Sequence, residues 1–408
     1  MKLTKTLPVI CALFLAQHAL AQTCDTVAVG TPIYIGGSTA LQPFVAAVGP
    51  KLSASADGGY TLFYYGGGSC NGVNNILGTF PLAASTSLTY YVANPDGGTA
   101  AVAKTCTLPA SQDGGLDVGI SDVFVETCGA IRPATVADVK GPAQAMAFVT
   151  SKLSTQTAIT AEEAYIAIGF GGVTYQAPPW TADPATSFFF RADSSGTKRI
   201  LASAIGLNWT KWKGQQTSGS GAVFSGLAGI TSASAGEASL GILGMDYLDQ
   251  SDANGPRRNQ VKQLAFSAVG QKYAYYPDSS TTSFDKKNLR EGRYGGLGYA
   301  HFLYATTAGG AALQPKAQYI VDLLTGGTVT PAPTFDVTAT ITKDAHLVPL
   351  CAMKVERTAE GADLKAYHPA NNCSCYFESL VGTPPASCVQ CTTSCASGTC
   401  RNGWCEAN

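Results

Sequence analysis

The sequence predicts an α/β protein with a separate cysteine-rich C-terminal tail. Three observations lead there. Segments of strand character alternate with segments of helical spacing from Pro32 to Leu324. Beyond about Gly361 the alternation stops, and Gly, Pro, Ser and Cys dominate. The cysteines divide in the same way. Of 13, Cys24, Cys70, Cys106 and Cys128 lie early, and none falls between Cys128 and Cys351. Cys351, Cys373, Cys375, Cys388, Cys391, Cys395, Cys400 and Cys405 crowd the end, and Cys11 lies near the start.

The elements follow in order. Pro32 to Ile35 reads as a short strand. Leu41, Phe44, Val45, Val48 and Leu52 recur at helical spacing. Tyr60 to Tyr65 is β-rich, and the segment after Gly72 is compatible with a helix. Leu116–Ile120 and Ala145–Val149 read as buried strands. Thr160 and Glu163 form a capping box that opens a helix through Ile168, closed by Gly169. Ser187–Phe190 is an apolar strand, and Gly196–Ile205 is helical with Gly206 just beyond. Leu240–Leu243 and Ala300–Ala305 read as strands. Pro315 fits a first helical turn, and that helix runs to Leu324, ahead of Gly326 and Gly327.

The 408 residues are 45% hydrophobic and 13% charged, which excludes a disordered chain and leaves room for two domains. The net charge of −1 excludes a strongly basic nucleic-acid footprint or a polybasic membrane patch, but not a local anion site. Residues 1–21 read as a secretory signal. Lys2 and Lys5 form its charged start, Leu7 to Leu15 its apolar centre, and Ala19-Leu20-Ala21 its cleavage site. The apolar run is too short for a membrane anchor, since a span needs about 18 apolar residues. A lipid-modified Cys24 is disfavoured by Gln22 and Thr23, where small residues are needed. Export leaves 12 cysteines, an even count that points to disulfides. Cys388-x-x-Cys391 offers zinc as a rival, which an oxidising compartment disfavours.

Four segments share a plan of strand, polar turn and helix-compatible sequence. They are Gly36-Gly37-Ser38-Thr39, Gly66-Gly67-Gly68-Ser69, Ser121-Asp122 and the run from Arg191 to Thr197. Ligands of open α/β sheets bind beyond the carboxyl ends of strands. Helix N-termini there present unpaired N–H groups, and Ser or Thr hydroxyls add donors, which suits a tetrahedral oxyanion. Arg191 adds a guanidinium able to hold two oxygens, and Asp193 is placed to hold the guanidinium. Plain helix capping, or an Arg191–Asp193 structural pair, would explain each piece singly. No Walker loop, dinucleotide fingerprint, H-E-x-x-H or G-x-S-x-G elbow occurs. His301, His346 and His368 are scattered, and no histidine is expected near the four loops.

These residues resemble the periplasmic phosphate-binding proteins of ABC importers, over roughly residues 30–350. Ile33–Thr39 is similar to the family's first phosphate loop, Tyr65–Val73 to its second, Asp117–Asp122 to the segment ending in the binding aspartate, and Arg191–Thr197 to its arginine loop. The resemblance implies a two-lobed type II periplasmic binding-protein fold with a ligand cleft between the lobes. It implies phosphate contacts from Thr39, the Ala40 N–H, Ser69, Asp122, Arg191, Ser195, Gly196 and Thr197, supported by Ser38 and Asp193. The lobes would be 22–135 with 295–360, and 136–294, with crossings near 130–145 and 285–300 and the tail at 361–408. Asp122 would accept a hydrogen bond from the proton that phosphate retains near neutral pH. Cys70 and Asn71 depart from the family's small residues, and the tail has no counterpart in a minimal importer component.

The expected protein is a periplasmic or secreted monomer that binds inorganic phosphate and partners an ABC importer. It uses no metal, cofactor or nucleic acid. A phosphate sensor or surface protein docking through its tail, or a phosphomonoesterase on the same fold, are the alternatives.

Overall fold

The computed structural model describes residues 22–54, 59–96, 100–171 and 177–407, so the expected signal segment lies outside the described residues. None of the described helices is long and apolar enough to cross a membrane.

The first half builds strands β1 (Thr31–Gly37), β2 (Tyr60–Tyr65), β3 (Ser87–Val92), β4 (Val102–Thr107) and β5 (Val118–Ser121). Helices α1 (Gln42–Leu52) and α2 (Ser69–Ile76) follow β1 and β2. Helix α2 begins earlier than its apolar spacing predicts, which puts Ser69 in its first turn. The second half builds β6 (Val136–Ser151), β7 (Phe188–Arg191), β8 (Gln215–Thr217), β9 (Leu240–Gly244) and β10 (Val261–Gln263). With them come α3 (Ala161–Phe170), α4 (Gly196–Ala204), α5 (Ser220–Ala228) and the single turn α6 (Met245–Leu248). The capping box of α3 is formed: Glu163 N–H donates to Thr160 Oγ1 at 3.1 Å, and Thr160 N–H donates to Glu163 Oε2 at 2.8 Å. The helix runs past Gly169 to Phe170, because its cap is Gly171. Strand β11 (Leu297–Ala305) and helix α7 (Pro315–Thr325) complete the alternation.

The 11 strands form one mixed sheet in the order β4-β3-β2-β1-β5-β11-β6-β9-β7-β8, with β10 also on β6. Strands β2, β1 and β5 are mutually parallel, and so are β9, β7 and β8. The antiparallel pair β6–β11 joins the two triads. Two large apolar cores result, with two smaller clusters beside them among the described residues. One gathers residues from Ile33 to Ile120 with residues from Ala300 to Leu347. The other gathers Ala143 to Tyr299 with Val348, Ala352, Met353, Cys373 and Phe377. The return segment changes core at Val348, where its backbone pairs with Ala143.

The tail is less separate than its composition predicts. Helix α8 (Ser374–Val381) buries Phe377 in the second core. The Arg290 guanidinium lies 4.4 Å from the Phe377 ring centroid and pairs with Glu378, while Arg290 Nε donates to Ala352 O at 2.9 Å. Buried Glu406 accepts from the N–H groups of Cys375 and Tyr376 at 3.0 and 2.9 Å, which satisfies the first turn of α8. The disulfides are Cys24–Cys106, Cys70–Cys128, Cys351–Cys373, Cys375–Cys388, Cys391–Cys400 and Cys395–Cys405. Cys391, Cys395 and Cys405 cluster closely enough for a metal, but all three sulfurs are used in disulfides. Cys24 is likewise bonded.

Thiol titration of a denatured, unreduced chain beginning at Gln22 should find essentially no free thiol; several free thiols with bound zinc would contradict the pairing. Phe377→Ala should cost about 3–5 kcal/mol in denaturant melts, the usual range for deleting a buried aromatic.

Candidate functional site

The carboxyl ends of the parallel strands converge on one place. Ser38 and Thr39 follow β1, Ser69 opens α2 after β2, and Asp122 follows β5. Arg191 ends β7, Ser220 opens α5 after β8, and Asp246 lies two residues past the end of β9. A strand end followed by a helix start leaves N–H groups free for a ligand or a hydroxyl, so polar side chains collect there.

Asp122 is 1% exposed. Its Oδ1 accepts from Ser38 Oγ at 2.5 Å and from Gln144 Nε2 at 2.5 Å, and its Oδ2 accepts from Ser69 Oγ at 3.0 Å. Burial pushes the Asp122 carboxyl up, against the pull of these donors and of Arg191. Ser69 Oγ also accepts from the N–H groups of Asp122 and Gly196, both at 3.2 Å. One hydroxyl thus ties the first half to the start of α4 in the second. A Cβ on Gly196 would lie 2.5 Å from Ser69 Oγ and 2.6 Å from Asp122 Oδ2, so this approach requires glycine.

Arg191 is 2% exposed. Its Nη2 donates to Thr39 Oγ1 at 2.5 Å across the cleft, and its Nη1 donates to Ser220 Oγ at 2.9 Å. Its Nε is buried and makes no hydrogen bond within the protein. Burial lowers its pKa, while Asp122, Tyr64 and Asp246 oppose that shift. The buried Thr197 Oγ1 and Gln144 Oε1 also lack a partner. Ser195 caps α4, its Oγ accepting from Lys198 N at 3.5 Å. The Ala40 N–H, expected to face a ligand, donates to Ser38 Oγ at 3.1 Å.

Thr39, Ala40, Ser69, Asp122, Arg191, Ser195, Gly196 and Thr197 lie together, with Ser38 among them. Asp193 does not hold Arg191. Its carboxylate bonds Lys198 Nζ at 2.6 Å, because the turn aims it at a lysine one helical turn into α4. Gln144, Ser220 and Asp246 escaped the sequence reading. Gln144 is internal to a strand, and β8 is too polar and short to read as one. Asp246 follows the expected strand Leu240–Leu243 and repeats the strand-then-polar-residue plan, which could have flagged it. A histidine also lies nearer than expected. His301 pairs in register with Ser121, next to Asp122. Its Nδ1 lies 2.8 Å from Asp138 Oδ1, and its Nε2 makes no hydrogen bond.

No protein-family model matches the sequence, and no curated protein matches it. Several solved structures are similar in shape at low identity. One is described as a phosphate ABC transporter substrate-binding protein with bound phosphate, from Clostridium perfringens. It is 14% identical, with 78% of this chain and 99% of that one covered and a TM-score of 0.48. Another is an ABC-type phosphate transport receptor from Vibrio cholerae, 13% identical, covering 71% and 91%, with a TM-score of 0.41. A third is the reduced OxyR regulatory domain from Pseudomonas aeruginosa, 8% identical, covering 72% and 95%, with a TM-score of 0.38.

Gly196→Ala should lower the stability of the ligand-free protein by about 1–3 kcal/mol, the usual penalty of overpacking. A variant as stable as the native chain would show that α4 and Ser69 do not meet this closely in solution.

Proposed function

We propose that this is an exported solute-binding protein that captures inorganic phosphate in the cleft between its two halves and delivers it to an ABC-type importer. The observation that carries the reading is the meeting of a buried guanidinium and a buried carboxylate at converging strand ends, with Arg191 Nε and Thr197 Oγ1 unpartnered beside them. Buried polar atoms without partners are costly, and an oxyanion would satisfy these donors. The ligand contacts would come from Thr39, Ala40, Ser69, Asp122, Arg191, Ser195, Gly196 and Thr197.

Asp122 supports phosphate over sulfate. An ionised carboxylate offers about four acceptor positions. Ser38 and Gln144 occupy two on Oδ1 and Ser69 occupies one on Oδ2, which leaves one on Oδ2 for a hydrogen carried by the ligand. Phosphate keeps such a hydrogen near neutral pH, and sulfate does not. A site built for that hydrogen rejects an anion whose bare oxygen would face the carboxylate. Binding rather than turnover is the reading. The hydroxyls of Ser38, Thr39, Ser69, Ser195 and Ser220 engage Asp122, Arg191 or a backbone N–H, and none bonds an imidazole that could activate it.

Calorimetry on the mature protein should show phosphate binding far tighter than sulfate. Arg191→Ala should weaken phosphate by about a hundredfold or more, as loss of a buried charged contact does. Ser195→Ala should weaken it by only about tenfold or less, the worth of one neutral hydrogen bond. Asp122→Asn should narrow the gap between phosphate and sulfate. Equal affinities for the two anions in the native protein would overturn the choice of ligand.

A further inference from the structure

Asp246 is a second carboxyl group at this site, and the phosphate reading leaves it unused. It is 1% exposed, and neither carboxyl oxygen makes a hydrogen bond within the protein. The backbone N–H groups of Asp246 and Tyr247 approach it without bonding it. Its Oδ1 lies over Gly244, where a Cβ would come within 2.2 Å. The same Cβ position is 3.7 Å from the Ala40 side chain, so the carboxyl borders the loop after β1 across the cleft. The charged and titratable groups that act on it come from every side. Asp122 lies at the end of β5, Arg191 at the end of β7 and Tyr64 on β2, with Tyr247 and Asp249 on and just after its own turn.

Two carboxyls acting on one guanidinium cannot both ionise cheaply in a desolvated cleft, and their surroundings decide which one gives way. Asp122 has three side-chain donors to support a negative charge, whereas Asp246 has none. Burial, with Asp122 and Asp249 nearby, pushes the Asp246 carboxyl well up. Ionised, Asp246 would repel an incoming anion; neutral, it carries an O–H that can donate to one.

We propose that Asp246 is a specificity-determining residue that closes over the ligand as the neutral acid, donating its proton to an anion oxygen while Asp122 accepts one from the anion. Capture then takes up a proton. At the alkaline pH of the test below the buried group is ionised in the free protein and neutral beneath the bound anion, because the anion strengthens its hold on the proton further. The ligand class is a hydrogen-bearing oxyanion that offers both an acceptor oxygen and a hydroxyl. This rests on the phosphate reading above.

The test is calorimetry with inorganic phosphate in buffers of different ionisation enthalpy, above the second ionisation of phosphate, so that the free anion's own proton does not change. The native protein should take up close to one proton per phosphate bound. Its affinity should fall about tenfold for each pH unit, as linkage to a single proton requires. Asp246→Asn keeps a donor that cannot titrate, so its affinity should be nearly flat with pH and its proton uptake close to zero. An identical slope and proton count in both proteins would overturn the inference and leave phosphate binding intact. Zero uptake by the native protein would overturn it even if the variant failed to fold. No phosphate binding by the native protein would overturn the phosphate reading, and this inference with it.

A ligand-free readout carries the same sign. An unfolded aspartate titrates near about pH 3.9. The folded carboxyl holds its proton above that, so the folded state binds more protons and loses stability as pH rises through this range. Asp246→Asn should therefore melt higher than the native protein at neutral pH and no higher in acid. A gap that stays constant with pH would speak against a proton on Asp246.

Discussion

The structure depends on one buried carboxylate being held by donors from three different elements. Asp122 takes hydrogen bonds from Ser38 at the end of β1, Ser69 at the start of α2 and Gln144 within β6. A charge taken out of water survives only with such partners. Each donor therefore fixes a different element against β5. Ser69 extends the chain of bonds to Gly196, and Thr39 to Arg191, so the same network that holds Asp122 also holds the halves together. The Cys70 N–H adds a bond to Ser194 O at 3.1 Å on the same line of approach. The order of the first half and the closure of the cleft are thus one electrostatic problem with one solution.

The sheet explains how two halves can meet and still be distinct. Strand β6 is 16 residues long and pairs with β11 along its first part, then with β9 and β10 along its second. The register between β6 and β11 shifts between Tyr299 and His301, near where the two cores divide. Two antiparallel strands are the main covalent path between the cores. The return segment and α8 then brace the second core from outside, through the Val348–Ala143 pairing and buried Phe377. What composition marks as a tail is, up to Val381, part of the scaffold behind the second half of the site.

Much of this was legible in the chain. Parallel strands buried on both faces read as short apolar runs, and Tyr60–Tyr65, Phe188–Phe190 and Leu240–Leu243 do so. Helices with a chemical start, such as Thr160 with Glu163, were legible from the start. Three of the site's loops were legible because each combines glycine with hydroxyls at a strand end, and the fourth, Ser121-Asp122, because polar residues follow an apolar strand. What was not legible depended on tertiary pairing. Gln144 is polar inside a strand and makes sense only beside Asp122. Strand β8 is Gln-Gln-Thr, and only its pairing with β7 makes it a strand. Asp193 was misread because Arg191 is the nearer cation in sequence, and only the turn's geometry turns the carboxylate toward Lys198 instead. Phe377 sits among cysteines and polar residues that hide its burial.

The two halves are stabilised by different means, and the difference bears on the site. Two disulfides, Cys24–Cys106 and Cys70–Cys128, staple the first half, the first to β4 and the second to α2 beside Ser69. Residues 129–350 contain no cysteine. Behind its side of the cleft lies a buried charge cluster instead. Arg258 bonds Asp249 at 2.5 Å and Asp278 at 2.7 Å, and Lys286 bonds the same two carboxylates at 2.6 and 3.0 Å. Breaking one partner of such a cluster is far costlier than the net worth of the pairs, so its geometry is held stiffly. Asp249 belongs to that cluster and lies three residues beyond Asp246. Its charge is one of the causes that hold the Asp246 carboxyl up. Burial and Asp122 come first among those causes, and the scaffold of the second half adds to them through Asp249, whereas the hydroxyls and N–H groups of the first half do not titrate. An anion bound as proposed would meet these fixed donors on one face, and on the other Arg191 and the Asp246 carboxyl, whose hold on its proton answers to burial and to the neighbouring carboxylates.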